Sequence, residues 1–391
     1  MKVLILHQHF NAPEKGGALR SYYLAKALVD QGIETVMITG SNEKKYKQEN
    51  YEGIEVHYLP IAYDNSFGFT DRSLSFLKYI KQSVAIAKKI SNVDICYAIS
   101  VPLTIGLAAI WIQKKIKVPF IFEVGDLWPD APIQMGVVKN YFLIHVLFQL
   151  EKLIYRKAKS IVALSQSIKD GIEKKVRGKK IDLISNMADC DFYKPEIKDA
   201  ALEDKFNVKG KFVVSYIGTA GAANGLDHFL ECANASRKAE LPIHFIICGD
   251  GAILQNLKTS AERLGLKNIT FTGFVNRAQV KEVMNITDAI FVSYKNVPIL
   301  QTGSPNKYFD GLASGKMIIV NFGGWIKNEI EKAGCGIYLN PRQPSEFVNK
   351  IRAYALDKNK THEAQRAART LAESNYNRLK LSNQFVNIFT A

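Results

Sequence analysis

The stretch Thr302-Gly303-Ser304-Pro305-Asn306-Lys307-Tyr308-Phe309-Asp310 has the residue types and spacing to hold a diphosphate and the sugar attached to it. Gly-Ser-Pro reads as a helix start, with Ser304 as N-cap and Pro305 at the first helical position. The free N–H groups and positive dipole end there favour an anion such as a diphosphate. Lys307 falls on the first turn, close enough to neutralise that charge. Asp310 falls one turn beyond Asn306, where a carboxylate can accept from the vicinal hydroxyls of a ribose. A second anion candidate follows the first apolar run, where Gly16-Gly17 opens a helix and Arg20 lies one turn in. Bare backbone there lets N–H groups approach an anion, and Arg20 could add a charge-assisted contact; a plain loop with a capping glycine fits the same residues. Glu123-Val-Gly-Asp126-Leu-Trp128-Pro-Asp130 sets acidic groups just past another apolar run. Either Glu123 or Asp126 could orient an acceptor hydroxyl or take its proton, or both could hydrogen-bond the loop backbone with Trp128 as packing.

Other constellations are weaker. Asp189-Cys-Asp191 has the Asp-x-Asp spacing that holds a divalent metal in some nucleotide-sugar enzymes, but it sits in Asn186–Pro195, which reads as a structural turn. Gly218-Thr-Ala-Gly221-Ala-Ala-Asn-Gly225 would let a phosphate or sugar press against backbone, whereas Cys248-Gly-Asp-Gly251 reads as a structural turn with Gly251 serving close helix–sheet packing. The histidines show no ligand spacing; His7 and His9 alternate after the first run, so only one can face a ligand. No metal is expected. The P-loop, the nucleophile elbow and the Gly-x-Gly-x-x-Gly fingerprint are all missing, so no nicotinamide cofactor is expected.

These residues need scaffolding, and the hydrophobic pattern supplies it. Strand-length apolar runs alternate with helical segments from end to end: runs at 3–6, 35–38, 54–58, 95–99, 120–124, 160–164 and 181–184, then 212–217, 244–248, 269–272, 289–293, 317–320 and 336–339. Runs apolar on both faces suit parallel sheets covered by helices. The fold class expected is α/β, two doubly wound Rossmann-like domains. The polar, proline-bearing stretch near 193–210 reads as the seam, dividing residues 1–195 from 196–391. The final helix, near 382–389, could pack back on the first domain. Ligands of open α/β sheets bind outside the strand carboxyl ends, so a cleft between the domains is the expected site.

The 391 residues carry 52 Lys+Arg against 37 Asp+Glu, a formal charge of +15, which points to an anionic partner. The segment Lys139–Lys180 alone holds 11 basic and 3 acidic residues. Its 142–157 stretch adds large apolar residues at helical spacing, a combination that suits a helix lying on an anionic membrane surface; a core helix followed by a solvated basic one is the alternative. The aromatics are not interleaved with the charges as a stacking platform for nucleic acid needs, so no nucleic acid is expected. The five scattered cysteines read as reduced thiols of a cytoplasmic protein. No run reaches the roughly 20 apolar residues of a spanning helix.

Several spaced motifs in order resemble the family 4 glycosyltransferases, retaining enzymes of GT-B architecture. They are Gly16-Gly17, the 25–36 segment, the 165–195 segment, Phe245-Ile-Ile-Cys-Gly-Asp-Gly, Asn268-Ile-Thr-Phe-Thr-Gly-Phe-Val and Asp310-Gly-Leu-Ala-Ser-Gly-Lys. Glu123-Val-Gly-Asp-Leu-Trp-Pro and Ser304-Pro-Asn-Lys are similar to the branch that transfers amino sugars in O-antigen, capsule and lipid-linked oligosaccharide synthesis. The resemblance implies an acceptor-binding first domain and a donor-binding second one. The donor would be UDP-linked, with its sugar an N-acetylated hexosamine. Gly16, Gly17, Arg20, Gly303, Ser304, Asn306 and Lys307 would hold the phosphates, Asp310 the ribose, Thr302 the donor sugar and backbone at Phe274–Val275 the base. Glu123 or Asp126 would meet the acceptor, a saccharide carried on a polyprenyl diphosphate, at the inner face of the plasma membrane. The family's first glutamate is here Thr302 and its second Asp310, while the Arg and Lys of its diphosphate clamp correspond to Thr219 and Asn224. Those departures leave room for a non-catalytic nucleotide- or glycan-binding subunit of a membrane assembly. A nucleotide-sugar epimerase of the same architecture is a further alternative.

Overall fold

The computed structural model describes residues 1–13, 19–64 and 67–390. Gly16 and Gly17 lie outside the described residues. Among the described residues fourteen strands form two sheets. The first contains β1 (Lys2–Leu6), β2 (Glu34–Ser41), β3 (Lys47–Tyr51), β4 (Ile54–Pro60), β5 (Ile95–Ile99), β6 (Phe120–Val124), β7 (Ser160–Ala163) and β8 (Ile181–Leu183). Its order is β3-β4-β2-β1-β5-β6-β7-β8, and only β3 runs antiparallel to its neighbour. The second sheet contains β9 (Phe212–Ile217), β10 (Ile243–Cys248), β11 (Ile269–Gly273), β12 (Ala289–Val292), β13 (Met317–Val320) and β14 (Gly336–Tyr338). It is wholly parallel, in the order β11-β10-β9-β12-β13-β14. Central strands such as β5, β6 and β10 are buried at every position, as expected when helices cover both faces. Both sheets are doubly wound, with the strand order reversing between β1 and β5 and between β9 and β12. The crevice outside the carboxyl ends at such a reversal is where ligands of this architecture bind.

The chain folds as two compact units. The first is Met1–Ser185 with Thr302–Ser304 and Leu379–Ala391; the second is Asn186–Gln301 with Pro305–Arg378. The division falls earlier than Pro195 because the Asn186–Pro195 turn is built into the second unit. Ala188 N–H donates to Tyr376 O at 2.8 Å, and Arg369 donates to Tyr193 O at 2.8 Å and Cys190 O at 3.1 Å. Ala188, Cys190 and Tyr193 sit in a core with Phe309, Leu312 and Ile318. The expected seam also contains a short helix, Ala200–Lys205, whose Asp199 side chain accepts from the N–H groups of Ala201 and Leu202. In the first unit the terminal helix Arg378–Thr390 brings Phe385 edge-on to Tyr97, ring centroids 4.8 Å apart.

Candidate functional site

In the second unit the loops after β9 and β10 are packed backbone to backbone. Gly218 N–H donates to Cys248 O at 2.9 Å, and Ala220 N–H donates to Asp250 O at 2.8 Å. A Cβ on Gly249 would lie 2.1 Å from Gly218 O, and one on Gly251 2.5 Å from Ala220 O. Both glycines hold positive φ, so side chains are excluded twice, by conformation and by space. The contact at Gly251 is thus loop against loop. Asn224 Oδ1 accepts from Gly221 N–H at 3.0 Å, its backbone carbonyl accepts from Ser293 at 2.6 Å, and Thr219 O accepts from the Tyr216 hydroxyl at 2.7 Å. Thr219 and Asn224 therefore brace the loop.

Helix Asn306–Ala313 begins one residue later than its sequence suggests. Pro305, in extended conformation (φ −74°, ψ 132°), is the N-cap, and no side chain caps it. Ser304 lies outside the helix, because the cap position goes to the residue that keeps non-helical ψ. Thr302, Gly303 and Ser304 group with the first unit, where Thr302 O accepts from Ser165 Oγ at 2.6 Å. Asn306 is exposed at the helix start.

Lys307 and Asp310 carry the chemistry of this unit. The Lys307 ammonium lies 5.0 Å from the centre of the Tyr216 ring and 5.9 Å from that of Tyr294. A Cβ on Gly218 would come within 3.3 Å of Lys307 Cε. Tyr216 belongs to the end of β9 and Tyr294 follows β12, so the cation stands at the reversal of strand order. Among the described residues neither the Lys307 nor the Asp310 side chain has a hydrogen-bond partner. Burial lowers the Lys307 ammonium to about 8, against a smaller upward pull from Asp310. Burial raises the Asp310 carboxyl to about 7, with Asp189 adding to the rise and Arg277 and Lys307 opposing it. Phe274 is 77% exposed just beyond β11, and Val275 beside it packs on the core that includes Val283 and Ile286. Asp189 accepts from Arg277 at 2.9 Å and Arg378 at 3.2 Å, and Asp191 accepts from Arg378 at 2.7 Å. Arginines thus neutralise the Asp-x-Asp pair inside the turn.

In the first unit two expectations are corrected. Arg20 does not present its guanidinium to a phosphate: it forks onto Glu123, with Nε to Oε1 and Nη2 to Oε2 both 3.0 Å, and also donates to the Ile184 and Ser185 carbonyls. Glu123 is correspondingly no acceptor base. It is buried at the end of β6, and takes the Tyr97 hydroxyl as well as Arg20. Such a bidentate buried pair is stable only as a pair. Nothing in the sequence joins positions 20, 97 and 123; the start of helix Arg20–Asp30 beside the adjacent strands β5 and β6 does. Asp126 differs. It is exposed at the loop, no described residue hydrogen-bonds its carboxylate, and the surrounding protein raises its pKa by desolvation. Burial holds His7 neutral, its value lowered to about 3, and His9 likewise to about 4. His9 packs on Tyr63, centroids 4.4 Å apart. Among the described residues no group of three His, Cys, Asp or Glu side chains is placed to hold a metal.

The basic segment forms helix Tyr141–Lys157, capped by Asn140, which accepts from Leu143 N–H. It buries Glu151, Ile154 and Tyr155, yet leaves Tyr141 89% and Phe142 79% exposed, with Val146 and Leu153 also exposed. Lys139, Lys152, Arg156 and Lys157 flank them in solvent. No described helix is long and apolar enough to cross a membrane.

Residues 198–371 match the family model described as glycosyl transferases group 1, and residues 15–187 match that of a glycosyl transferase 4-like domain. The chain is 22% identical over 327 residues to the alpha-monoglucosyldiacylglycerol synthase of Streptococcus pneumoniae, covering 81% of this chain and 70% of that protein. It is 18% identical over 246 residues to the alpha-D-kanosaminyltransferase of Streptomyces kanamyceticus, covering 61% of this chain and 62% of that one. Its fold matches HepE of Anabaena in complex with UDP with a TM-score of 0.71, 18% identity and full coverage of both chains.

Proposed function

The chain belongs to the glycosyl transferases of group 1, and on that premise we propose that it moves a sugar, an N-acetylated hexosamine, from a UDP-linked donor to a hydroxyl of a lipid-linked saccharide with retention of anomeric configuration. The observation that carries this reading is the pair Lys307 and Asp310. One cation and one carboxylate, less than a turn apart on one helix, stand without side-chain hydrogen-bond partners among the described residues, beside the strand-order reversal. Lys307 is suited to the diphosphate, helped by the N–H groups of the helix start. Asp310 is suited to two ribose hydroxyls. Gly303, Ser304 and Asn306 would complete the phosphate contacts, Thr302 would meet the donor sugar, and backbone at Phe274–Val275 would meet the base. With charge neutralised this way, the reaction needs no metal.

In the proposed reaction the bond from the anomeric carbon to the diphosphate oxygen breaks on the face where the acceptor oxygen bonds. The departing diphosphate oxygen takes the acceptor's proton. The protein contributes positioning and stabilisation of developing diphosphate charge, and Asp126 orients the acceptor hydroxyl. Titratable chemistry at the acceptor side falls to Asp126 alone, because Glu123 is consumed by Arg20 and Tyr97. The apolar, basic face of helix Tyr141–Lys157 would rest on an anionic bilayer at the cytoplasmic face, bringing the acceptor's polyprenyl diphosphate within reach. The UDP-bound state of HepE and the lipid product in the name of the pneumococcal relative support the donor and acceptor classes.

The test is transfer of label from UDP-N-acetylglucosamine into the organic-extractable fraction of vesicles loaded with polyprenyl-diphosphate-linked saccharides. Label transfer that falls at least 100-fold in Asp126→Asn supports the reading. Binding of the donor with no transfer to any acceptor contradicts it, and favours the non-catalytic subunit that the missing cationic clamp suggests.

A further inference from the structure

The loop that carries Asp126 is fastened on both sides by groups that the reaction itself does not use. Before it, Gly125 N–H donates to Ser100 Oγ at 3.2 Å. Immediately after it, Leu127 is buried against Gly171 of helix Gln166–Glu173, where a Cβ would lie 2.5 Å from Leu127 Cδ1. At the far end Asp130 accepts from the Lys175 ammonium. Lys175 also donates to both oxygens of Glu151, at 2.7 and 2.9 Å, and lies 5.4 Å from the centre of the Phe148 ring. Glu151 has no exposed surface and accepts from the Tyr155 hydroxyl at 2.9 Å. Phe148, Glu151 and Tyr155 belong to helix Tyr141–Lys157, the helix with the exposed apolar face.

We propose that Lys175 is a positioning residue for acceptor recognition: by holding Asp130 and Glu151 together, it locks the Asp126 loop to helix Tyr141–Lys157 as one rigid body. The inference rests on the reading of Asp126 as the acceptor contact. Two observations favour positioning over simple stability. An ion cluster built around a fully buried carboxylate, here Glu151, contributes little net stability compared with an apolar core of the same volume, but it fixes geometry, because breaking it strands that charge. The cluster also spends two carboxylates on one ammonium, so its arms reach separately to the loop and to the helix. Asp126, between the anchors, has no hydrogen-bond partner among the described residues and stays open to a ligand. A lipid surface under the helix and a hydroxyl at Asp126 would then sit in a fixed relation.

The test reads Asp126 directly, by the carboxyl ¹³C resonance that disappears in Asp126→Asn, in the full-length protein with Lys175→Met, Lys175→Arg and Asp130→Asn. Lys175→Met and Asp130→Asn are expected to shift the resonance and move its titration midpoint down toward the ordinary aspartate range, as the loosened loop relieves the desolvation that raises it. Lys175→Arg, which can span both carboxylates, restores both properties. UDP binding by calorimetry stays unchanged in all of them. If Lys175→Met fails to fold, Asp130→Asn, which keeps the shape and removes only the charge, cuts the same link and is read in the same way. An Asp126 resonance and titration indifferent to both substitutions overturns the proposal. Label transfer that survives Asp126→Asn overturns the underlying reading instead.

Discussion

Lys307 and Asp310 are held against their own solvation preference, and that has a measurable sign. Asp310 titrates at about 7, above an ordinary aspartate, so the folded protein binds more protons than the unfolded chain between the two values. Stability therefore falls as pH rises through that window, and the cost is full above it. Lys307, lowered to about 8, binds fewer protons when folded, so its cost is full below about 8 and is relieved as pH rises toward the ordinary lysine value. Near pH 7.5 both costs are present. Asp310→Asn and Lys307→Met should each raise the melting temperature there, by about 2–4 °C for every kcal/mol recovered. The gain from Asp310→Asn should vanish near pH 4, where the folded wild-type carboxyl is protonated and carries no charge to desolvate. A fall in melting temperature at pH 7.5 would mean that the two side chains serve the fold. The positions of Lys307 and Asp310 on one helix were legible from their spacing; that the ammonium lies against Tyr216 and Tyr294 was not, because those rings come from strands about 90 and 13 residues away.

At the scale of elements, the bare loops of the second unit are what bring the donor helix and the strand ends together. Gly249→Ala sets a methyl 2.1 Å from Gly218 O at φ +140°, so the loops must part. The combined clash and backbone strain should cost about 2–5 kcal/mol in denaturant unfolding. Gly265→Ala, also at positive φ but with nothing within 4 Å, should cost only about 1–2 kcal/mol. Equal costs would show that the close approach is not what requires glycine. The buried strands and long amphipathic helices were legible because their apolar period is unambiguous. The edge strand Lys47–Tyr51 was not: Lys-Gln-Glu-Asn-Tyr is polar throughout and is a strand only because β4 offers an open edge. In the first unit, Arg20 and Glu123 looked like site residues because each has charge near a strand's carboxyl end. Pairing of a helix start with side chains on two adjacent strands turns them into a brace.

For the molecule as a whole, a net charge of +15 spread over both halves suits a protein whose proposed ligands are all anionic: a nucleoside diphosphate, a lipid diphosphate and a bilayer. The two α/β units were legible end to end, and their division at Ser185 rather than Pro195 was hidden because polarity and a proline near 193–210 mark a seam, while nothing local shows that the turn before it is built into the second unit by arginines and a core. The terminal helix is bound by Phe385 and Phe389 on Tyr97, contacts from opposite ends of the sequence. The central claim is that Lys307 and Asp310 hold a UDP-linked donor, and calorimetric titration with UDP between pH 6 and 9 tests it most directly. Affinity should peak between about 7 and 8, lost below as Asp310 takes a proton and above as Lys307 loses one. It should fall roughly 10- to 100-fold in Asp310→Asn, the scale of hydrogen bonds to a charged group. UDP binding that is flat across this range and indifferent to Asp310→Asn would contradict that claim.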